Sequence, residues 1–388
     1  MEEKIENLER VFRSRFGTKP RFFQAPGRVN LIGEHTDYNE GFVMPFAIDR
    51  RVTVAGAARV DSTVNAYSLD LDESLSLDMS APPVTRRGNW ADHIEGVMRS
   101  AARRSGLALG GADLCIASTV PIGAGLSSSA AMATAVGYAV LALNGVRMDG
   151  RELAFAAQEA EHKFVGINSG LMDQFAAVFG KAGSALLMDC RSLELEYIPF
   201  ESAGTAVVGF DTKVKHTLAS SEYNRRREEC EEGVRLLSRR LPDIKSLRDV
   251  RPDQLEENAN LLPSVMLRRC RHVISENSRT LDAASAFKRH DLVLAGRLMS
   301  ESHRSLRDDY EVSCAELDAL VETARVVDGV YGARMTGGGF GGCTVNLVRK
   351  ESVGELREKC ETEYTAKFGL TPEFYVFQTA NGASEVTL

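Results

Sequence analysis

Pro26-Gly-Arg-Val-Asn-Leu-Ile-Gly-Glu-His-Thr-Asp-Tyr-Asn-Glu-Gly-Phe-Val-Met-Pro45 is the stretch on which the reading of this 388-residue chain turns. Val29, Leu31 and Ile32 form an apolar run that breaks at Gly33 into Glu34-His35-Thr36-Asp37. That pattern predicts a buried strand delivering a polar turn. A core strand has no use for two carboxylates and an imidazole at its end, and a solvated loop needs no apolar strand behind it. Polar groups held at a strand end by a rigid scaffold are where binding chemistry concentrates.

The rest of the chain bounds what such a turn can serve. Its length suggests two domains. The net charge of −7, with no Lys/Arg stripe, argues against nucleic-acid binding. An anionic partner would need local positive groups. The seven cysteines are odd in number and include no CxxC pair, which fits reduced thiols in a cytoplasmic protein. The first residues are acidic, with Ile5, Leu8, Val11 and Phe12 on one helical face, so no targeting peptide is expected. The apolar run from Ala130 to Leu143 is too short to span a membrane and reads as a buried helix.

Strands are expected at 51–58, 114–118, 185–188, 342–348 and 374–378. Helices are expected at 90–104, 130–143, 151–164 and 222–241, with helical spacing again through 262–304 and 313–327. Strands and helices without strict alternation indicate an α+β fold. The boundary between domains is expected near Leu193–Glu201, dividing the chain into 1–195 and 196–388.

A second motif, Pro121-Ile-Gly-Ala-Gly-Leu-Ser-Ser-Ser-Ala-Ala131, sets glycines and three serines at the mouth of the 130–143 helix. Inward-turned N–H groups and a helix N-terminus make a phosphate cradle. The competing reading is that a serine merely caps the helix. A third motif, Met335-Thr-Gly-Gly-Gly-Phe-Gly-Gly-Cys343, formally contains G-x-G-x-x-G. A strand-like alternation follows it where a dinucleotide fold requires a helix, so that reading fails. Asp173, after a glycine turn, is equally compatible with helix capping and with catalysis. Glu159 and Glu161 read as ordinary solvated helix acids.

Taken together and in order, these three motifs resemble those of galactokinases, members of the GHMP kinase superfamily. Gly170–Gln174, Leu187–Ser192 and Ser221–Asn224 extend the likeness, which runs from about Phe22 to Phe374. The resemblance implies a two-domain GHMP-kinase-like fold, with a mixed-sheet N-terminal domain, an α/β C-terminal domain and the active site between them. It implies ATP and Mg²⁺ as cosubstrate and cofactor, galactose as the small-molecule partner, and a monomer. By the same resemblance Asp173 and Arg28 are catalytic. Glu34, His35, Asp37, Gly170, Asp173 and Tyr223 hold the sugar. Pro121, Gly123, Ala124, Gly125, Leu126, Ser127, Ser128, Ser129 and Ala130 hold the nucleotide phosphates, and Ser129 and Glu161 the metal. The third motif is implied to pack beside the phosphate loop.

An arginine beside Asp173 would favour its charged form and weaken it as a base, so late proton acceptance is the expectation. Ser169, where a cysteine is common, Leu171, Glu40 and Met44 depart from the family pattern without removing an assigned group. The alternatives are a kinase for N-acetylgalactosamine or arabinose and a non-catalytic galactose sensor. Substrate profiling separates the first. Such sensors lack a Ser-Ala pair that Ser127–Ala131 retains.

Overall fold

The signature run starts on an extended backbone that sets the geometry of the whole N-terminal half. In the computed structural model, which describes residues 2–200, 204–215 and 219–387, helix α1 (Glu2–Phe16) leads into β1 (Arg21–Asn30). β2 (Phe42–Val43), β3 (Pro45–Ala58), β4 (Thr63–Ser68) and β5 (Glu73–Asp78) follow, then α2 (Ala91–Ser105), β6 (Ala112–Ser118) and α3 (Ser128–Leu143). Next come α4 (Gly150–Ala160), α5 (Met172–Phe179), β7 (Ser184–Asp189) and β8 (Leu195–Pro199).

β13 (Ser384–Val386) joins this half from the far end of the chain, giving a six-stranded mixed sheet ordered β13-β1-β3-β6-β4-β5. Only its β4–β6 pair is parallel. α3 lies on β1 and β3, flanked by α2, α4 and α5. It is apolar all round because it is buried all round, as expected from 130–143. Val136, Val140 and Leu141 are each almost fully enclosed and contribute about 1.5–3 kcal/mol apiece. Ile5, Leu8 and Phe12 of α1 are buried with Phe22 and Cys115 in a separate cluster.

The second half holds β9 (Thr205–Lys215), α6 (Ala219–Leu237), α7 (Pro252–Glu257), α8 (Ser264–Lys288), α9 (Leu292–Asp308) and α10 (Ala315–Arg325). It continues through β10 (Val330–Met335), β11 (Gly341–Arg349), α11 (Val353–Phe368) and β12 (Glu373–Phe377). Its antiparallel sheet runs β10-β11-β9-β12.

The expected division at 195/196 is crossed by strands. β8 pairs with β7, which pairs with β2, and β13 returns to β1. One apolar cluster also runs from Phe23 and Val54 through to Val345 and Phe377.

Several element readings change. β3 starts at Pro45, six residues early, because Asp49-Arg50-Arg51 interrupts its apolar alternation. β4 and β5 were not expected; β5 is largely solvent-facing and carries little apolar signal. The 151–164 helix ends at Ala160 and passes into a π turn, Glu161–Val165. Asp291 divides the 262–304 stretch by capping α9 at Leu294 N (3.0 Å).

Candidate active site

β1 and β3 slip register between Pro26 and Arg28. This bulge re-aims the strand, and Gly27 permits it: a Cβ there would stand 2.6 Å from the Leu126 carbonyl. Arg28 N donates to that carbonyl at 3.2 Å. The first and second motifs are thus joined backbone to backbone. Arg28, 4% exposed, reaches Asp173 Oδ1 through Nε (2.8 Å) and Nη2 (2.7 Å), and Gly125 O through Nη1 (2.6 Å). Burial pulls its pKa down, but Asp173 and Glu34 outweigh burial and the net shift is upward.

The capping alternatives fail on geometry. Leu171 is the N-cap of α5, and Asp173 turns away to Arg28 and to the Ser127 hydroxyl, which donates to Oδ2. Ser127 is the N-cap residue of α3 but makes no side-chain cap, and its φ of +60° is left-handed. The first N–H groups of α3 therefore have no side-chain cap and face the loop. Ser128 and Ser129 line a cavity of about 210 Å³ together with Ile122, Met132, His93 and Trp90. Trp90 is partly buried against the core, and its Nε1 donates to Glu73 at 2.9 Å.

The third motif lies against the 121–131 loop, as expected. A Cβ on Gly337 would stand 2.8 Å from Gly125 O, and one on Gly342 would stand 3.1 Å from Ala124 O. β11 follows it, a strand and not a helix.

A second cavity of about 130 Å³ is lined by Arg28, Glu34, His35, Asp37, Glu161, Gly170, Asp173 and Tyr223, with Gly337 and Gly338. Every sugar-binding candidate meets there. Asp37 is driven up to about 6, first by burial and then by Asp173. Gly170 has no room for a side chain: its Cβ would fall 2.0 Å from Asp37 Oδ2. Glu34 Oε1 accepts from Gly337 N at 2.7 Å. His35 lines this cavity with its ring already engaged. Its Nδ1 meets Tyr38 OH at 2.7 Å and its Nε2 meets Gly338 O at 3.1 Å, so neither ring nitrogen is open to a sugar hydroxyl. Its φ of +60° is a strain of about 1–3 kcal/mol that these contacts sustain.

Glu161 is buried at the start of the π turn, a geometry frequent at functional sites. Its Oε2 accepts from Ser169 Oγ (2.5 Å) and Gln174 Nε2 (2.8 Å). Burial lifts it to about 7, Ser169 lowers it and nearby Asp173 raises it. A carboxylate with only neutral hydrogen-bond partners in so little water fits a cation. Among the described residues no three His, Cys, Asp or Glu side chains cluster to hold a metal alone. Ser129 lines the neighbouring cavity, not the one that holds Glu161.

Sequence reasoning missed the layer behind the turn. Glu276 of α8 accepts from Gly33 N (3.0 Å), Glu34 N (3.4 Å) and Ser302 Oγ (2.6 Å). His272 Nε2 meets Glu34 O at 3.1 Å. Arg334, fully buried, lies 3.5 Å from Glu34 and donates to Asn30 O. The one available signal was an arginine inside the otherwise apolar β10.

Comparison with known proteins gives the class and then the family. The N-terminal domain of GHMP kinases matches residues 92–181 and their C-terminal domain residues 283–366. The mevalonate kinase of Methanococcus jannaschii shares the fold at 19% identity (TM-score 0.65, 94% of this chain and 99% of that one). The protein is a GHMP kinase. The galactokinase galactose-binding signature matches residues 10–58. The galactokinase of Chloroflexus aggregans (strain MD-66 / DSM 9485) is 49% identical over 98% of this chain and 97% of its own. That of Roseiflexus sp. (strain RS-1) is 47% identical over 98% and 96%. The crystal structure of Lactococcus lactis galactokinase complexed with galactose superimposes with a TM-score of 0.94 at 35% identity, covering 98% of this chain and all of that one. This chain belongs to the galactokinase family.

Proposed function

We propose that the protein transfers the γ-phosphoryl group of ATP to the C1 hydroxyl of α-D-galactose, giving galactose 1-phosphate and ADP. The observation that carries this reading is the Arg28–Asp173–Ser127 junction, where the glycine- and serine-rich 121–131 loop meets a cavity walled by carboxylates. The uncapped N-terminus of α3 and the glycines of 121–130 hold the phosphates. The apolar cavity beside Trp90 takes the base. Glu161 and Ser129 would hold Mg²⁺, which neutralises phosphate charge when bound.

Asp37, Tyr223, the free oxygen of Glu34 and the Gly170 backbone read the hydroxyls, since carboxylates accept from O–H groups and discriminate by direction. Asp173 orients the C1 hydroxyl and accepts its proton late in a loose transition state. Arg28 stabilises charge on the transferring group, and little covalent help is required. One chain supplies every group named, consistent with a monomer.

The test is ADP release with Mg·ATP and a panel of galactose, glucose, N-acetylgalactosamine, arabinose, mevalonate and homoserine. Galactose should turn over, and Asp173→Asn should lower kcat by about 10²–10⁴-fold with a normal melting curve. Near-normal kcat in that variant would overturn the role of Asp173. Binding of galactose and ATP without turnover would identify a sensor instead.

A further inference from the structure

His35 is bonded at both ring nitrogens, and the direction of each bond can be deduced. A backbone carbonyl only accepts, so His35 Nε2, 3.1 Å from Gly338 O, carries a proton. The ring is 3% exposed and neither nitrogen meets a carboxylate, so nothing stabilises a second proton. Nδ1 is then an acceptor, and the Tyr38 hydroxyl at 2.7 Å donates to it. That uses the only proton on Tyr38, whose oxygen must accept from Tyr310 OH at 2.8 Å. Tyr310 in turn accepts from the Cys230 thiol at 3.1 Å. Tyr310 and Cys230 are fully buried, so no water breaks the sequence.

We infer that Cys230, Tyr310 and Tyr38 form a one-way donor chain that holds His35 in its Nε2–H form and so latches the Gly338 carbonyl over the sugar cavity. Tyr38 and Tyr310 are thereby positioning residues for the sugar, and His35 is a joint between the signature turn and the third motif. This inference rests on the sugar-binding role proposed for the cavity. The contacts converge from four places: the Asp37–Asn39 turn, the segment after α9, helix α6 and the 337–342 loop. The packing suits the arrangement, with the His35 ring 4.9 Å from Tyr310 and 5.3 Å from Tyr223. The latch also bears on Tyr223, which lines the same cavity and whose ring would stand 3.4 Å from a Cβ placed on Gly338.

Nitrogen-15 spectra of the histidine-labelled full chain, assigned with His35→Gln, test the chain of donors without any substrate. The expected result is a single Nε2–H form for His35 that is unchanged by galactose and becomes a tautomer mixture in Tyr38→Phe. Kinetically, Tyr38→Phe should raise the galactose KM about tenfold while kcat stays within about twofold and the ATP KM does not move. Tyr310→Phe should act in the same direction, and the double variant should be no worse than Tyr38→Phe alone, because the bonds act in series. An Nδ1–H form, a His35 nitrogen that shifts strongly on adding galactose, or additive losses in the double variant would overturn the inference. Should Tyr38→Phe not fold, the wild-type spectrum and Tyr310→Phe decide. Absence of galactose turnover in the wild type would refute the functional reading and leave the tautomer result standing.

Discussion

At the scale of single residues, the site carries carboxylates that the folded protein does not favour. Glu161, lifted to about 7 by burial, and Asp37, lifted to about 6, both hold a proton more tightly folded than unfolded. The stabilising contribution of each is complete below its unfolded pKa, near 4–4.5, and is lost as pH rises through about 6 for Asp37 and 7 for Glu161. The ligand-free protein should therefore lose stability between pH 5 and pH 8 through these groups, on the order of 1–3 kcal/mol for Glu161. Glu161→Gln should raise the melting temperature at pH 8, flatten its fall with pH and abolish turnover. Scanning calorimetry of both proteins at pH 5 and pH 8 checks this, and an unchanged slope would remove Glu161 as the cause. Mg·ATP should restore stability to the wild type more than to the variant, since a ligand stabilises only the state that binds it.

At the scale of elements, glycines determine how closely the motifs approach. Gly170→Ala would drive a methyl group into Asp37, so the galactose KM should rise by at least about tenfold, with the ATP KM unchanged. Steady-state kinetics on both substrates separates this outcome from general damage, which would move both. The elements that hold the glycines were legible for a local reason. α3 announces itself by an unbroken apolar run, and β11 by alternation after the glycine loop. The convergence of Arg28, Asp173 and the 121–131 loop followed from resemblance, not from spacing. What stayed hidden is non-local. Glu276 grips Gly33 across 243 residues, and Tyr310 meets Tyr38 across 272, with no pattern near either partner to mark it. The engagement of His35 was hidden for a related reason, since an imidazole in a sugar motif says nothing about which nitrogens the protein has already taken.

At the scale of the molecule, the site exists only where both halves meet: Arg28 and Asp173 come from one, Tyr223 and Gly338 from the other. The six-stranded sheet is likewise shared. β13 pairs Phe22 with Val386 and Gln24 with Ser384, and Arg21 adds an ion pair to Glu385 at 2.7 Å. Removing residues 381–388 should uncover the edge of β1, lower the melting temperature by several degrees and promote self-association through the bared strand. Thermal melts and light scattering of the truncated chain measure both, and a monodisperse protein of unchanged stability would show that β13 is dispensable. The same strand sets a clock on synthesis. Arg21 and Glu385 are 364 residues apart, and a ribosome adding about 5–20 residues per second needs roughly 20–70 s to cover that distance. For all of that time β1 lacks its last neighbour, so the six-stranded sheet closes only as synthesis ends.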